Sequence, residues 1–437
     1  MLRLGMGAIQ ALALASAVVY PSCLHAQSPA AAHGRGAVTA RPAAAPSQDP
    51  AADLDPYLAL LGRYEAGDYP GAADAAVRLD VGTARRLARL ALEDVDREMA
   101  LLKRLKAASR ESPTRGALNE LRRERVRRLK LMLLVHTEAA LRASDGRAFG
   151  GQLALAREAV GRLRRLEEDL RVNGPLAAGP ESLLPRSEGP RAPRRLAPGR
   201  PDWEAMTLFF RDWYLVVASR LQSLDHPALL KAHVREGLEL LKDDPELLLA
   251  RGSISEGQAD VAVIDRSMAG DIYGPDFLHR WRQYMSAAGG DYQAAARRRP
   301  DLHEATLRWG RINVLLGDRT AARRALDEVA ASDGPAQLRY LAHLFLGELA
   351  ERERQPGRAR EAYESAIALF PAAQAPMLAL SLLCDDAGQS ECARRWLSKS
   401  LAAAGSGRLD PWWTYQRGQA WLGDRRLAAF RARGLQP

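Results

Sequence analysis

Small residues recur at fixed offsets from bulky ones in residues 303–401, and this recurrence limits the chain to closely packed pairs of helices. Three units begin at His303, Tyr340 and Gln374, and the second and third beginnings lie 34 residues apart. A short insertion at residues 333–335 separates the first unit from the second. Two antiparallel helices approach closely only where small side chains face bulky ones. The pattern therefore predicts three helical hairpins stacked in tandem.

The same marker positions appear in each of the three units. In the first unit they are Trp309, Gly310, Gly317, Asp318, Ala322 and Leu326. In the second they are Leu346, Gly347, Ala359, Tyr363, Ala366 and Pro371, and in the third Leu380, Ser381, Gly388, Ala393 and Leu397. This arrangement resembles the tetratricopeptide repeat, and the second unit matches the family pattern best. It departs at Arg354, where the family usually has a turn glycine, although a Pro-Gly pair follows.

The resemblance also implies where a partner binds, because tetratricopeptide arrays turn the first helix of each unit towards a concave groove. Carried over unit by unit, the groove-facing positions are Leu307, Arg311, Val314, Leu344, Glu348, Glu351, Leu378, Leu382 and Asp385. They form a leucine-lined floor with carboxylates towards one end, which suits a partner with apolar anchors and a basic residue. The alternative is that some of these leucines pack between neighbouring repeats, and the sequence leaves both interpretations open.

The N-terminus has the features of a secretory signal peptide. A positive residue precedes an apolar run over residues 8–20, and Ala26 offers a small residue for cleavage. We therefore expect residues 1–26 to be removed and the protein to be exported, periplasmic or secreted. Lipid attachment at Cys23, as in a lipoprotein, is the less favoured alternative. Residues 27–53 are rich in Ala, Pro and Ser, so we expect a disordered leader.

Helical periodicity changes twice between the leader and the three units. Residues 54–174 predict a short helical hairpin followed by a bundle of three long helices. Residues 175–201 are rich in proline and arginine, and proline disfavours helix interiors, so this stretch is predicted to be a linker. Residues 202–300 predict degenerate repeat hairpins, with an irregular stretch over residues 252–275 and a break at residues 289–290.

Aromatic residues are concentrated near the C-terminus although they make up only 6% of the chain. Trp412, Trp413, Tyr415 and Trp421 all lie in this region. We expect residues 402–437 to form a capping helix that covers the bare face of the last repeat, as the ends of solenoids require. The alternative is that these aromatic side chains form a binding patch.

Cys384 and Cys392 are the only thiols expected in the mature protein. They lie four residues on either side of Gly388 in the third unit, so the two can face each other across a helical hairpin. In an oxidising compartment a disulfide between them is physically reasonable. Two small core residues that never bond are the alternative. A zinc site is not expected, because no histidine or third cysteine stands close in sequence.

The sequence contains no phosphate-binding loop, no dinucleotide-binding motif and no nucleophile elbow, and its histidines are scattered. We therefore expect no enzyme activity, no cofactor and no metal.

The net charge is +10, with basic clusters at residues 122–130 and 297–299 that suit an anionic polymer or membrane surface. Nucleic acid is not expected as a partner of an exported protein. A solvated basic face paired with Glu120 and Glu124 is the alternative interpretation.

The sequence thus predicts an all-α protein with a tetratricopeptide-like superhelix of hairpins in its C-terminal half, preceded by a long-helix bundle. The favoured function is a non-catalytic scaffold of the cell envelope that binds partner peptides or helices in its groove. The alternative is an envelope factor that binds or processes a polymer, with an acidic glycan or an anionic membrane surface as its target.

Overall fold

The computed structural model describes seven stretches of the chain. They are residues 50–108, 113–173, 203–224, 226–268, 275–404, 410–416 and 423–436. The predicted signal peptide, nearly all of the predicted leader and the predicted linker at residues 175–201 lie outside the described residues.

Every regular element in these seven stretches is an α-helix, which confirms the predicted all-α class. The first six helices are α1 (Pro50–Glu65), α2 (Tyr69–Arg78), α3 (Val81–Ala108), α4 (Pro113–Arg142), α5 (Gly146–Asn173) and α6 (Trp203–Ser223). The next six are α7 (Pro227–Leu240), α8 (Pro245–Met268), α9 (Pro275–Arg298), α10 (His303–Leu316), α11 (Arg319–Ala331) and α12 (Ala336–Arg352). The last five are α13 (Pro356–Leu369), α14 (Gln374–Asp386), α15 (Ser390–Ala404), α16 (Pro411–Gln416) and α17 (Gly423–Gly434).

The helices divide into two compact units. The bundle unit contains the described residues of 39–217 and 424–437, and the array unit contains those of 218–423. The boundary between the two falls inside α6.

In the bundle unit, α1 and α2 form a hairpin beside the long helices α3, α4 and α5. Gly67 supplies the turn with φ +96°, a conformation that favours glycine. Asp68 caps α2 by accepting a 2.9 Å hydrogen bond from the amide of Gly71. The face of α2 that packs on α4 consists of small, fully buried side chains, those of Ala72, Ala73 and Ala76.

Polar side chains on α4 are buried in the bundle unit, and their partners come from α1. The hydroxyl of Tyr57 lies 2.9 Å from Nε2 of His136, and the hydroxyl of Tyr64 donates to Glu138 at 2.7 Å. Burial lowers the pKa of His136 to about 4, so its ring is neutral at pH 7. Each of these bonds satisfies a buried polar group, and together they fix α1 against α4.

The C-terminal helix α17 packs in the bundle unit, which differs from the capping role predicted for residues 402–437. Phe430 is fully buried and stacks on Phe209 with ring centroids 4.9 Å apart. Nε of Arg431 donates to the buried carboxylate of Glu138 at 3.0 Å, across 293 residues of sequence. Helix α17 is therefore held by the ring of Phe209 and by the buried carboxylate of Glu138, which needs a cation. Both residues lie far from it in the chain.

We predict that Phe430→Ala lowers the free energy of unfolding by about 3–5 kcal/mol, because it removes a fully buried ring. Chemical denaturation of the full chain, followed by far-UV circular dichroism, measures the loss. Arg425→Ala, at an exposed position of the same helix, is the control and should change stability by less than about 0.5 kcal/mol. Equal stability of the two variants would contradict this packing.

The array unit contains three hairpins at the three predicted repeats: α10–α11, α12–α13 and α14–α15. The first turns at Gly317, with φ +92°, and Asp318 caps α11 by accepting from the amide of Ala321 at 3.0 Å. The third turns at Gly388, with φ +71°. In the second, Arg354 takes the same left-handed conformation, with φ +58°. The turn geometry is thus retained where the residue departs from the family pattern.

The two helices of each of the first two hairpins touch where a glycine faces a bulky side chain. A Cβ added to Gly347 on α12 would lie 2.3 Å from Cε1 of Tyr363 on α13. At Gly310 on α10 it would lie 2.9 Å from Leu326 on α11. Tyr363 and Leu326 are both buried, so their neighbours hold them in place. Glycine is therefore required at both positions for the close approach of the backbones.

We predict that Gly347→Ala destabilises the protein by about 1–3 kcal/mol, because the added methyl group forces the buried ring of Tyr363 to move. Thermal unfolding monitored at 222 nm tests this. Gly357→Ala in the first turn of α13 is the matched control, since no atom lies within 4 Å of its added Cβ. That variant should be neutral or more stable by up to about 1 kcal/mol; a destabilised control would show that the effect is not one of packing.

Helices α8 and α9 are longer than the sequence predicted. Helix α8 continues to Met268 through most of the stretch predicted to be irregular, residues 252–275. Helix α9 runs without interruption through the break predicted at residues 289–290. Both predictions were wrong because they assigned the glycines to turns.

These glycines serve helix packing. A Cβ on Gly252 would lie 2.5 Å from the ring of Tyr292, and one on Gly289 would lie 3.1 Å from Ile312. A glycine in a helix interior costs about 1 kcal/mol relative to alanine. The burial of Tyr292 and Ile312 outweighs this cost, since a buried side chain of that size contributes about 1.5–3 kcal/mol.

Candidate binding groove

The first helices of the hairpins present the nine predicted groove positions, and the structure separates these into two sets. The buried set is Leu307, Arg311, Val314, Leu344 and Glu348. The partly or fully exposed set is Glu351, Leu378, Leu382 and Asp385. We call the surface formed by these positions and their neighbours the groove face, the first set its covered part and the second its open part. Leu307, Val314 and Leu344 belong to the hydrophobic core between the helices, as the alternative interpretation of the leucines predicts.

Within the covered part, Arg311 lies against residues 410–416 of the same chain, which we call the docked segment. Its Trp412 and Tyr415 rings stack on each other with centroids 5.6 Å apart. The guanidinium carbon of Arg311 lies 4.6 Å from the Trp412 ring and 5.2 Å from the Tyr415 ring. Phe345 on α12 meets both aromatic rings edge-on. A cation and three aromatic rings therefore form one contact.

Asp410 anchors the beginning of the docked segment and is itself buried. It accepts hydrogen bonds from the hydroxyl of Tyr340 at 2.7 Å and from the amide of Ala375 at 2.8 Å. Ala375 lies in the first turn of α14, where the helix dipole favours a negative charge. The same carboxylate accepts from the amide of Trp412 at 2.9 Å, which caps α16.

Glu256 on α8 receives the other end of the docked segment. Its carboxylate accepts from the hydroxyls of Tyr415 and Tyr292, both at 2.6 Å, and from Arg308 at 2.9 Å. Arg308 also donates to Glu304 at 3.0 Å and to the carbonyl of Tyr415 at 3.1 Å. Burial alone would raise the pKa of Glu256, but the charges of Arg308 and Arg311 and the tyrosine hydroxyls lower it below its usual value. The carboxylate is therefore ionised at pH 7.

Glu256 occupies the position in α8 that Glu351 occupies in α12. Each glutamate lies four residues after a glycine that packs against a tyrosine ring. The tyrosine hydroxyl then donates to the glutamate, from Tyr292 to Glu256 at 2.6 Å and from Tyr363 to Glu351 at 2.9 Å. Helix α8 thus contributes to the groove face in the same register as the first helices of the three predicted repeats.

The open part of the groove face combines an exposed apolar side chain with carboxylates. Leu382 on α14 is 45% exposed, and Asp385 and Asp386 follow it on the same helix and are exposed. Neither aspartate forms an ion pair with a cation of the described residues. The pKa of Glu351 is raised to about 7, mainly by burial and also by the charges of Glu348 and Asp386, against the hydrogen bond from Tyr363 and the charge of Arg352. Four carboxylates therefore lie near one another at this site, and the nearby cation Arg352 pairs with Glu348 and only partly offsets their charge.

We predict that Glu351→Gln stabilises the protein at pH 8. Because the folded-state pKa is raised from 4.5 to about 7, the folded protein binds more protons than the unfolded chain between these values. Stability is then lost as the pH rises through this window, and glutamine, which still accepts from Tyr363, avoids the loss. The gain at pH 8 should be about 1–3 kcal/mol and should vanish near pH 4.

Urea denaturation at pH 4, 6 and 8 measures the effect of Glu351→Gln. Glu361→Gln, at an exposed position on α13, controls for the change in charge. A constant difference between Glu351→Gln and wild type at all three pH values would contradict the raised pKa.

Cys384 and Cys392 are joined by a disulfide, with their Cα atoms 5.8 Å apart. The bond links α14 to α15 across the turn at Gly388. Of the two interpretations that the sequence left open, the structure thus contains the bonded one. The disulfide holds the hairpin that carries Leu382 and Asp385.

The two basic clusters are largely paired with carboxylates. In the bundle unit the pairs are Arg123–Glu120, Arg125–Asp96, Arg127–Glu65 and Arg128–Glu124. In the array unit they are Arg298–Asp243 and Arg299–Glu246. The pairing with Glu120 and Glu124 is the one expected for a solvated helix face.

The described residues contain neither a candidate metal site nor a candidate membrane span. No group of three or more His, Cys, Asp or Glu side chains there could hold a metal ion. None of the described helices is long and apolar enough to span a membrane.

The sequence pattern did not identify Glu256, Arg308 or Asp410 as groove residues. A signal for the first was present, since Gly252 precedes Glu256 by the same four residues that separate Gly347 from Glu351. Arg308 is adjacent to the predicted position Leu307, and Asp410 begins the aromatic cluster near the C-terminus. Their association depends on contacts across 159 residues, from Glu256 to the docked segment, which no local pattern encodes.

Two solved structures show what the chain is similar to. MamA from Desulfovibrio magneticus RS-1 is 19% identical, over 46% of this chain and 97% of that one, with a TM-score of 0.34. Human IFIT1, in a dimer with PPP-AAAA, is 11% identical, over 77% of this chain and 69% of that one, with a TM-score of 0.35. No protein-family model and no curated protein matches the sequence. At these identities and TM-scores, function has to be inferred from the groove face itself.

Proposed function

We propose that this protein is a non-catalytic scaffold that binds another protein through the open part of its groove face. The observation that carries the proposal is the exposed Leu382 beside Asp385, Asp386 and the partly exposed Glu351. An apolar side chain next to a cluster of carboxylates suits a partner segment that combines an apolar anchor with Arg or Lys.

The covered part supports the same role. It holds the docked segment through Trp412, Tyr415 and Arg311, and these residue types dominate the binding energy of protein interfaces. The groove face therefore has the chemistry needed to hold a short helical segment through specific side-chain contacts.

We place this scaffold in the cell envelope as part of the proposal. The signal-like features of residues 1–26 support export. A disulfide between Cys384 and Cys392 would persist in an oxidising compartment outside the cytoplasm. Fractionation of cells that express the full chain tests the location directly.

We predict that the double change Leu382→Arg and Asp385→Lys abolishes partner binding. It replaces the apolar anchor point and reverses the charge that attracts a basic residue. The full chain is cross-linked in intact cells and purified, and the captured protein is identified by mass spectrometry. The variant should retain less than a tenth of the partner that the wild type retains.

Glu361→Lys with Glu364→Lys is the matched control, because both glutamates are exposed on α13 and are not groove positions. This control should retain the partner. With the purified partner, binding to the wild type should strengthen from pH 6 to pH 8 as Glu351 ionises. Equal retention by the two double variants would refute the assignment of the open part.

A further inference from the structure

We infer that the docked segment is a ligand bound in cis, and that the covered part of the groove face recognises the same kind of segment in a partner protein. The segment is a short helix with a carboxylate at its beginning and aromatic side chains two and five residues later, as in Asp410, Trp412 and Tyr415. The inference rests on the proposed binding role of the array but concerns a different part of the groove face.

Each anchor of the docked segment has a separate receptor on the array. The carboxylate of Asp410 meets the hydroxyl of Tyr340 and the amide of Ala375 at the beginning of α14. An anion at a helix N-terminus with a second, side-chain donor is specific recognition of a carboxylate. A segment that begins with a neutral residue would lose the charge that favours this helix N-terminus, and one without a side-chain acceptor would lose both hydrogen bonds.

The aromatic anchors lie one helical turn apart and share a cation. Trp412 and Tyr415 stack over Arg311, and the hydroxyl of Tyr415 donates to Glu256 at 2.6 Å. The pocket that receives this hydroxyl therefore distinguishes tyrosine from phenylalanine, because phenylalanine would leave Glu256 with one donor fewer. Recognition thus depends on a carboxylate, on aromatic rings that contact a cation, and on a tyrosine hydroxyl.

The floor beneath the docked segment is charged. Its residues are 2–8% exposed and carry five charges: Glu256, Glu304, Arg308, Arg311 and Glu348. Buried ion pairs are often no more stable than apolar residues of similar volume, so a permanently closed contact has no need of them. A charged floor stays well solvated when the segment leaves. This composition suits a surface that exchanges one occupant for another.

The shape of the docked segment is imposed by the groove face. Helix α16 has only six residues, which is too short to be stable as a helix by itself. Asp410 caps it while also contacting the array. A partner segment with the same residues can therefore form the same turn of helix as it binds.

A labelled peptide with the sequence of residues 410–416 tests the inference by fluorescence anisotropy. It is titrated into the full chain as wild type and as the double variant Trp412→Ala, Tyr415→Ala. The double variant loses the anchors of the competing cis segment, so its Kd for the peptide should be at least about tenfold smaller than that of wild type. Adding Arg311→Ala to the double variant should weaken binding by about tenfold or more, since it removes the shared cation.

Two controls accompany this titration. A peptide with asparagine in place of its first residue should bind the double variant more weakly, because it loses the charge held at α14. Leu401→Ala, at an exposed apolar position on α15, should leave wild-type binding unchanged. A folded double variant that binds no peptide at millimolar concentration, or whose binding is insensitive to Arg311→Ala, would overturn the inference.

The single change Tyr415→Phe covers the case in which the double variant fails to fold. It removes only the hydroxyl that reaches Glu256, so it should loosen the cis segment and lower the Kd for the peptide several-fold; no change would refute the inference. A wild-type dimer that the peptide dissociates would assign the groove to a second copy instead, and would also refute it. The experiment with Leu382→Arg and Asp385→Lys tests a different part of the groove face. Its failure would refute the proposed function and would leave the result of the peptide titration unchanged.

Discussion

Close contact between helix backbones is the constraint on which the array unit depends. It is made where a glycine of one helix meets a bulky ring or leucine of the next, and the pairs are Gly252–Tyr292, Gly310–Leu326 and Gly347–Tyr363. In two of the three pairs the bulky residue is a tyrosine whose hydroxyl then reaches a glutamate four residues after the glycine. One contact therefore sets both the spacing of the helices and the position of a carboxylate on the groove face.

The two glutamates positioned in this way meet different surroundings. Glu256 lies under the docked segment, where two arginines and two tyrosine hydroxyls keep it ionised and lower its pKa. Glu351 lies in the open part, where burial and neighbouring carboxylates outweigh the charge of Arg352 and raise its pKa to about 7. The same repeat position thus contacts the docked segment when it is Glu256 on α8, and has no such contact when it is Glu351 on α12. The paired carboxylate of Glu256 and the partly buried carboxylate of Glu351 both favour binding of charged protein segments.

The errors in the sequence interpretation have a common cause. The glycines of α8 and α9 were assigned to turns, and α17 was assigned to the end of the array. In each case a distant residue decides the outcome: Tyr292 packs on Gly252, and Glu138 binds Arg431. Local propensity differs by about 1 kcal/mol between glycine and alanine, which is less than the burial of one large side chain contributes.

The local pattern of the chain was sufficient to predict the all-helical class, the three hairpins and their turns, because glycine, proline and small residues act on the neighbours they pack against. Only the tertiary structure decided that five of the predicted groove positions are buried, that Arg311 contacts residues 410–416, and that α8 supplies Glu256. These contacts join residues more than a hundred positions apart, so their energy depends on the folded arrangement and leaves no periodic trace in the sequence.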